Sequence, residues 1–130
     1  MTQPRPGLVG EVELTVERAH LASALGSGAV EVFATPAMIA LMEHAARACV
    51  DHLLPAGAIS VGTRLDVQHL APTPLGARVR ARAELVEVDG RRLVFRVSAS
   101  DGNDTIGEGT HERAIVDAAR LLARAQAKLS

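Results

Sequence analysis

Apolar residues recur along this chain with two different periods, and the places where the period changes mark the elements. From Glu11 to Arg18 polar and apolar residues alternate, with Val12, Leu14 and Val16 on one face, as in a half-buried strand. The Gly-, Ser- and Ala-rich stretch from Ala19 to Val30 predicts a short helix and a loop. A long apolar segment, Phe33 to Val50, comes next and opens with Thr35-Pro36. Thr is a good N-cap and Pro is favoured at the first helical position, so the pattern predicts a helix from here to about Asp51 or His52. Ala37, Met38, Ile39, Leu41, Met42, Ala45, Ala48 and Cys49 put apolar groups around most of its circumference, the pattern of a helix buried on nearly all sides.

From Ile59 the period is two. Ile59, Val61, Thr63, Leu65, Val67 and His69 share a face until Pro72 and Pro74 end the strand, so His69 is expected to project from the apolar side. Val79, Ala81, Ala83 and Leu85 alternate with Arg78, Arg80, Arg82 and Glu84. Leu93, Phe95, Val97 and Ala99 repeat the alternation beyond Asp89-Gly90, a hairpin signal. A turn at Asp101-Gly102-Asn103-Asp104 leads into a strand from Thr105 to Val116, and Asp117 is placed to cap a final amphipathic helix carrying Leu121, Leu122 and Leu129. Residues 1–130 read as a single domain with residues 1–8 as a flexible tail. One strand, a long buried helix and four antiparallel strands make an α+β domain whose sheet curls around the helix, the hot-dog fold. The open edge of such a sheet calls for a partner strand, which predicts a homodimer joined edge to edge.

Composition narrows the function. At 130 residues, 48% hydrophobic and 22% charged, the chain can bury one proper core. With two Phe and no Trp or Tyr, it lacks the aromatic platforms on which nucleic-acid bases stack. A net charge of -1 and a pI near 6.5 give no general attraction to phosphate polymers or anionic membranes. No basic stretch followed by an apolar core opens the sequence, and no apolar run reaches about 18 residues, so cytoplasm is the default expectation and neither nucleic acid nor membrane is an expected partner. Cys49, the single cysteine, reads as an inert core thiol, and the five histidines show no metal-ligand spacing, so no metal is expected.

The most informative polar residue is Glu43, two helical turns past Thr35-Pro36 in the apolar helix. Arg47 and Asp51 follow it at spacings of four, with His44 alongside, which is the pattern of a solvated charge ladder contributing a few tenths of a kcal/mol per pair. A carboxylate on a buried helix is otherwise paired, at an edge, or chemically useful. Taken singly, Thr35 reads as an N-cap, His69 as a hydrogen-bonded core histidine, and Arg113 as a surface partner of Glu112.

Five stretches taken together change the weighting. Val32-Phe33-Ala34-Thr35, Leu41-Met42-Glu43, the strand ending at His69 with Ala71-Pro72-Thr73-Pro74, Gly90-Arg91-Arg92-Leu93, and Ile106-Gly107-Glu108-Gly109-Thr110-His111-Glu112-Arg113-Ala114 occur in this order between Val32 and Val116. In this they resemble the fluoroacetyl-CoA thioesterase family of single hot-dog proteins. The resemblance implies a thioesterase acting on a short acyl-CoA, with CoA as part of the substrate and no cofactor. It implies a catalytic set of Thr35, Glu43 and His69 and substrate contacts at Gly62, His69 and Arg113. Those residue types suit thioester hydrolysis: Glu43 as nucleophile or base for water, Thr35 positioning by hydrogen bonds, His69 orienting the reacting groups and exchanging a proton with the departing thiol, and amides at the helix start receiving the oxyanion. A stripe such as Arg78, Arg80 and Arg82, if near the cleft mouth, would suit CoA phosphates.

The chain departs from the family pattern twice. A Gly often follows the Thr in the family, whereas Pro36 has no amide hydrogen, which leaves Ala37 or another group as oxyanion donor. The segment Leu21 to Glu31 is short and small-residue rich where fluoroacetyl-selective relatives carry a longer aromatic lid, so strict fluoroacetyl selectivity is not expected. Two further readings stay open here: a catalytically weak acyl-CoA binding or sensing protein, and another hot-dog acyl-CoA enzyme such as a hydratase, although the usual Asp and His arrangement of hydratases is not evident.

Overall fold

In the computed structural model, which describes residues 3–129, strands β1 (Val9–Thr15), β2 (Ala58–His69), β3 (Arg78–Asp89), β4 (Arg92–Ser100) and β5 (Thr105–Asp117) form one antiparallel sheet. Their order is β1-β3-β4-β5-β2, so β1 and β2 are the edges. Helix α1 (Ala22–Leu25) follows β1, α2 (Thr35–Val50) precedes β2, and α3 (Ala118–Gln126) continues from β5. The sequence alternation decides which face is covered: Val79, Ala81, Ala83 and Leu85 of β3 and Leu93, Phe95, Val97 and Ala99 of β4 are all buried against α2 residues Met38, Leu41, Met42, Ala45 and Cys49. Gly10 sits where β1 meets the backbone of α2 at Ala45 and Cys49, and any Cβ there would collide with it. Sheet and helix thus form the expected hot-dog arrangement.

Local readings are corrected at several points. Thr35 is not the N-cap of α2. Ala34 holds that position without a side-chain cap, Thr35 and Pro36 are the first helical residues, and the Thr35 hydroxyl is directed elsewhere. Helix α2 is not enclosed on nearly all sides either, because one sheet covers only one flank; Pro36, Ala40, His44, Arg47 and Ala48 are exposed. Strand β2 does not keep one phase. Gly62 pairs with Arg113 and Arg64 with Glu112, which leaves Thr63 as an inserted residue. A bulge of this kind exchanges the faces of everything on one side of it. Leu65, Val67 and His69 therefore share the inner face with Ser60 and Gly62, while Ile59 and Val61 turn outward.

The Asp89-Gly90 signal marks a two-residue loop, Gly90-Arg91, in which Gly90 takes a φ of 60°. Asp117 caps α3 by accepting the Arg120 N–H at 2.9 Å, but Leu121, Leu122 and Leu129 are all exposed. Within the stretch read as a tail, Gly7 N–H donates to Leu85 O at 2.8 Å and Leu85 N–H to Leu8 O at 2.9 Å, so the sheet begins before Val9. Met1 and Thr2 of that tail lie outside the described residues.

Candidate active site

Two polar clusters lie on the inner side of β2, one at each end. The first joins the start of α2 to the last residue of β2. Thr35 Oγ1 and His69 Nδ1 are hydrogen-bonded at 2.7 Å, which fixes the imidazole ring. The other ring nitrogen, His69 Nε2, is buried and has no hydrogen-bond partner among the described residues. Burial lowers the His69 pKa below its ordinary 6.5, which favours the neutral imidazole near neutral pH. With Val32, Phe33, Leu70 and Pro72 the pair lines a cavity of about 340 Å³. An orphan nitrogen on a wall otherwise largely apolar is a group waiting for a polar atom. The start of α2 supplies a further donor: the Met38 N–H is the first to close a helical bond, on Ala34 O at 2.9 Å, and Ala37 precedes it in the first turn, where amides lack helical partners. Pro36 supplies none.

The second cluster is built around Arg113 of β5, whose side chain is only 4% exposed. A buried guanidinium needs partners on every side. Its Nε donates to Ser60 Oγ and its Nη2 to Ser60 O, both at 2.8 Å. His111 Nδ1 is 2.9 Å from Arg64 O, to which it can only donate, so its Nε2 accepts from Arg113 Nη1 at 3.1 Å. Burial, with the Arg113 charge as a smaller cause, lowers the His111 pKa, consistent with that neutral tautomer.

Glu43 completes the cluster. Its Oε2 lies 3.6 Å from Arg113 Nη1, and its side chain is 37% exposed. Behind Arg113 a second carboxylate contributes: Ser60 Oγ donates to Asp51 Oδ1, and Asp51 Oδ2 accepts from Arg47 Nε at 3.1 Å. Half of the expected ladder therefore forms, between Arg47 and Asp51, while Glu43 turns to Arg113. Gly62 keeps the space in which the carboxylate sits, since a Cβ there would lie 2.5 Å from Glu43 Oε2 and 3.2 Å from His111 Cε1.

The residues singled out from the sequence thus fall into two groups. Thr35 and His69 meet; Glu43, Gly62 and Arg113 meet. Thr35 and Glu43 are eight residues apart on one helix, about 12 Å along its axis, so one chain does not bring the three proposed catalytic residues together. Arg113 is not a partner of Glu112, which instead pairs with Arg92 at 2.9 Å. Arg78 and Arg80 both pair with Glu13 at 2.8 Å, and Arg82 lies within reach of Glu11 and Glu84, so that stripe is already neutralised. Ser60 has no part in the sequence reading, Asp51 enters it only as a helix end and a rung of the charge ladder and His111 only within a matching stretch, although the spacing of two between His111 and Arg113 on a strand already puts them on one face. Among the described residues no group of three His, Cys, Asp or Glu side chains is placed to hold a metal ion, and no helix is long and apolar enough to cross a membrane.

Similarity to known proteins identifies the family. The family model described as fluoroacetyl-CoA-specific thioesterase matches residues 16–119. A fluoroacetyl-CoA thioesterase from Streptantibioticus cattleyicolor is 50% identical over 99 residues, which are 75% of this chain and 70% of that protein. The solved structure of the fluoroacetyl-CoA thioesterase FlK superposes with a TM-score of 0.91 at 39% identity, covering 96% of this chain and 97% of that one. A hot-dog-like protein from Thermanaerovibrio acidaminovorans gives a TM-score of 0.86 at 28% identity over 99% of this chain and 95% of that one. Sequence model, relative and fold agree over nearly all of the chain that carries the two clusters, and the chain belongs to the fluoroacetyl-CoA-specific thioesterase family.

Proposed function

We propose that this protein hydrolyses short-chain acyl-CoA thioesters to the free acid and CoA, and that Thr35, Glu43 and His69 do the chemistry in a site completed by a second copy of the chain. The observation that carries the reading is the Thr35–His69 pair, whose buried Nε2 lacks a partner. It faces a chemistry that the Glu43 cluster supplies from the other end of the same strand. Strand β2 is a twelve-residue edge. Unpaired edges of that length favour pairing with another strand. If two β2 strands pair antiparallel about a twofold axis between Leu65 and Asp66, Gly62 of each protomer comes opposite His69 of its partner. Glu43 and Arg113 of one subunit then share a cleft with Thr35 and His69 of the other.

In that cleft Glu43 either attacks the acyl carbon, forming a mixed anhydride that water then hydrolyses to the free acid, or takes a proton from water as it attacks; on both routes the C–S bond breaks as the thiolate leaves. Arg113 and Gly62 set where the carboxylate sits, and His69 relays to the thiolate the proton that the water gives up, returning to the neutral imidazole. Amides at the start of α2 receive the negative charge that develops on the carbonyl oxygen. No redox or metal step enters this sequence. The test is a thiol-release screen over CoA thioesters of increasing acyl length: turnover highest for the shortest chains supports the reading, and absence of release from every member, with binding retained, would make the protein an acyl-CoA binder instead.

A further inference from the structure

Most basic side chains are occupied by carboxylates. Among the described residues, Arg5, Arg64, Arg91, Arg120, Arg124 and Lys128 form no ion pair. Three of these, Arg91, Arg120 and Arg124, line one cavity of about 510 Å³ at the end of the sheet. Resting on the hydrolase reading above, we propose that this cavity is the subsite for the phosphates of the CoA moiety, with Arg91, Arg120 and Arg124 as its anion contacts.

The three guanidinium groups come from two elements held together by backbone hydrogen bonds. Arg120 and Arg124 are four apart on α3 and so share a face of it. The start of α3 is fixed by the Asp117 cap and by the Ala118 N–H, which donates to Gly57 O at 2.9 Å. Arg91 sits in the β3–β4 loop, where its carbonyl accepts the Ile115 N–H at 2.9 Å. Asp117 also lines the cavity, but its Oδ1 is engaged by the Arg120 N–H, and the lining remains net positive. Arginine is the side chain best suited to phosphate oxygens, through paired charge-assisted hydrogen bonds.

The cavity also lies at a suitable distance from the reacting groups. Ile115, on its wall, is two residues beyond Arg113 on the same face of β5, and Asp117 is four beyond, about 13 Å along the strand. That separation is of the order of the extended pantetheine arm, which links the thioester to the phosphates. A short acyl group offers few contacts, so binding energy has to come from the remote part of the substrate, and the phosphorylated nucleotide is its only strongly charged part. The neutralised Arg78, Arg80 and Arg82 stripe offers no comparable free charge.

The test uses the double variant Arg120→Glu/Arg124→Glu, with Arg91→Ala as an independent probe from the other element; all three positions are exposed, so the fold is not at risk. KM is measured for acetyl-CoA and for acetyl-pantetheine, which lacks the nucleotide, and 3′-phosphoadenosine diphosphate is titrated calorimetrically into wild type and variants. The double variant is expected to raise KM for acetyl-CoA about tenfold or more relative to that for acetyl-pantetheine, with a matching loss of nucleotide affinity that fades in high salt. Arg91→Ala is expected to shift both in the same direction by less. Equal changes in the two KM values, or nucleotide binding as tight in the variants as in wild type, would overturn the assignment. The titration needs no turnover, so a protein that binds the nucleotide through these arginines yet releases no thiol from any thioester overturns the hydrolase reading and leaves the subsite standing.

Discussion

Replacing Gly62 by alanine adds one methyl group at the point where β2 passes Glu43. The new Cβ would lie 2.5 Å from Glu43 Oε2, whereas ordinary contact begins at about 3.4 Å, so the carboxylate has to retreat by about 1 Å. It can do so at modest cost, because the group that moves is the end of a long side chain that is 37% exposed. His111 Cε1, at 3.2 Å, needs only a few tenths of an ångström. The loss of stability is therefore expected near the lower end of the overpacking range, about 1 kcal/mol. Turnover is more sensitive, since a misplacement of about 1 Å in a reacting group can reduce rate about a hundredfold. The assay pairs thiol release from acetyl-CoA with a thermal melt of the same preparation. A fall in kcat of that size with a melting temperature within a few degrees of wild type supports the placement of Glu43. Near-native kcat, or a loss accounted for by unfolded protein, would refute it.

His69→Ala is expected to lower kcat far more than it lowers thermal stability; loss of folding with normal activity per folded molecule would make His69 a structural residue. Burial lowers the pKa of both His69 and His111 from 6.5, so the unfolded chain takes up their protons first as pH falls. Their contribution to stability is complete above about pH 6.5 and is lost on acidification, so melts are expected to show a lower Tm at pH 5.5 than at pH 7.5; a flat or opposite trend contradicts the neutral, buried assignment. Ser23 to Glu31 is exposed and turns at Gly26, whose φ is 70°, and of this segment only the small Ser27 lines the cavity beside His69, where Phe33 is the one aromatic side chain. The preference for fluoroacetyl-CoA over acetyl-CoA in kcat/KM is accordingly expected to stay below about a hundredfold, and a ratio of many thousands would show that selectivity resides elsewhere.

Hydrophobic periodicity sufficed for the fold, because β3 and β4 alternate without interruption over the buried residues and α2 is long and apolar. It failed where one residue decides the phase. The Thr63 insertion turns Ile59 and Val61 outward and Ser60 and Gly62 inward, and nothing in a run of alternating side chains distinguishes that bulge from a regular strand. Thr35, Glu43, Gly62, His69 and Arg113 of the two clusters of the candidate site were legible through the stretches that resemble the family, but their local contacts were not. Thr35 reads as an N-cap from its neighbours, and only the end of β2, 34 residues away, shows that its hydroxyl meets His69. The Ser60, Asp51 and His111 shell of Arg113 was invisible for a similar reason: it depends on the β2–β5 register, a long-range pairing that the sequence does not encode locally. The helical spacing of Thr35 and Glu43, by contrast, already required that one chain hold them about 12 Å apart.

That separation makes mixing of two inactive variants the most direct measurement. Glu43→Gln and His69→Ala are each expected to retain the fold and dimer while losing most turnover. Unfolded together and refolded at equal ratio, they form mixed dimers in which one cleft regains an intact Glu43 from one chain and an intact His69 from the other. Statistical assortment gives half mixed dimers with one working cleft of two, so thiol release is expected to recover to roughly a quarter of wild type. Recovery no higher than the parent variants, with mixed dimers shown to be present, would contradict a site shared between two copies of the chain.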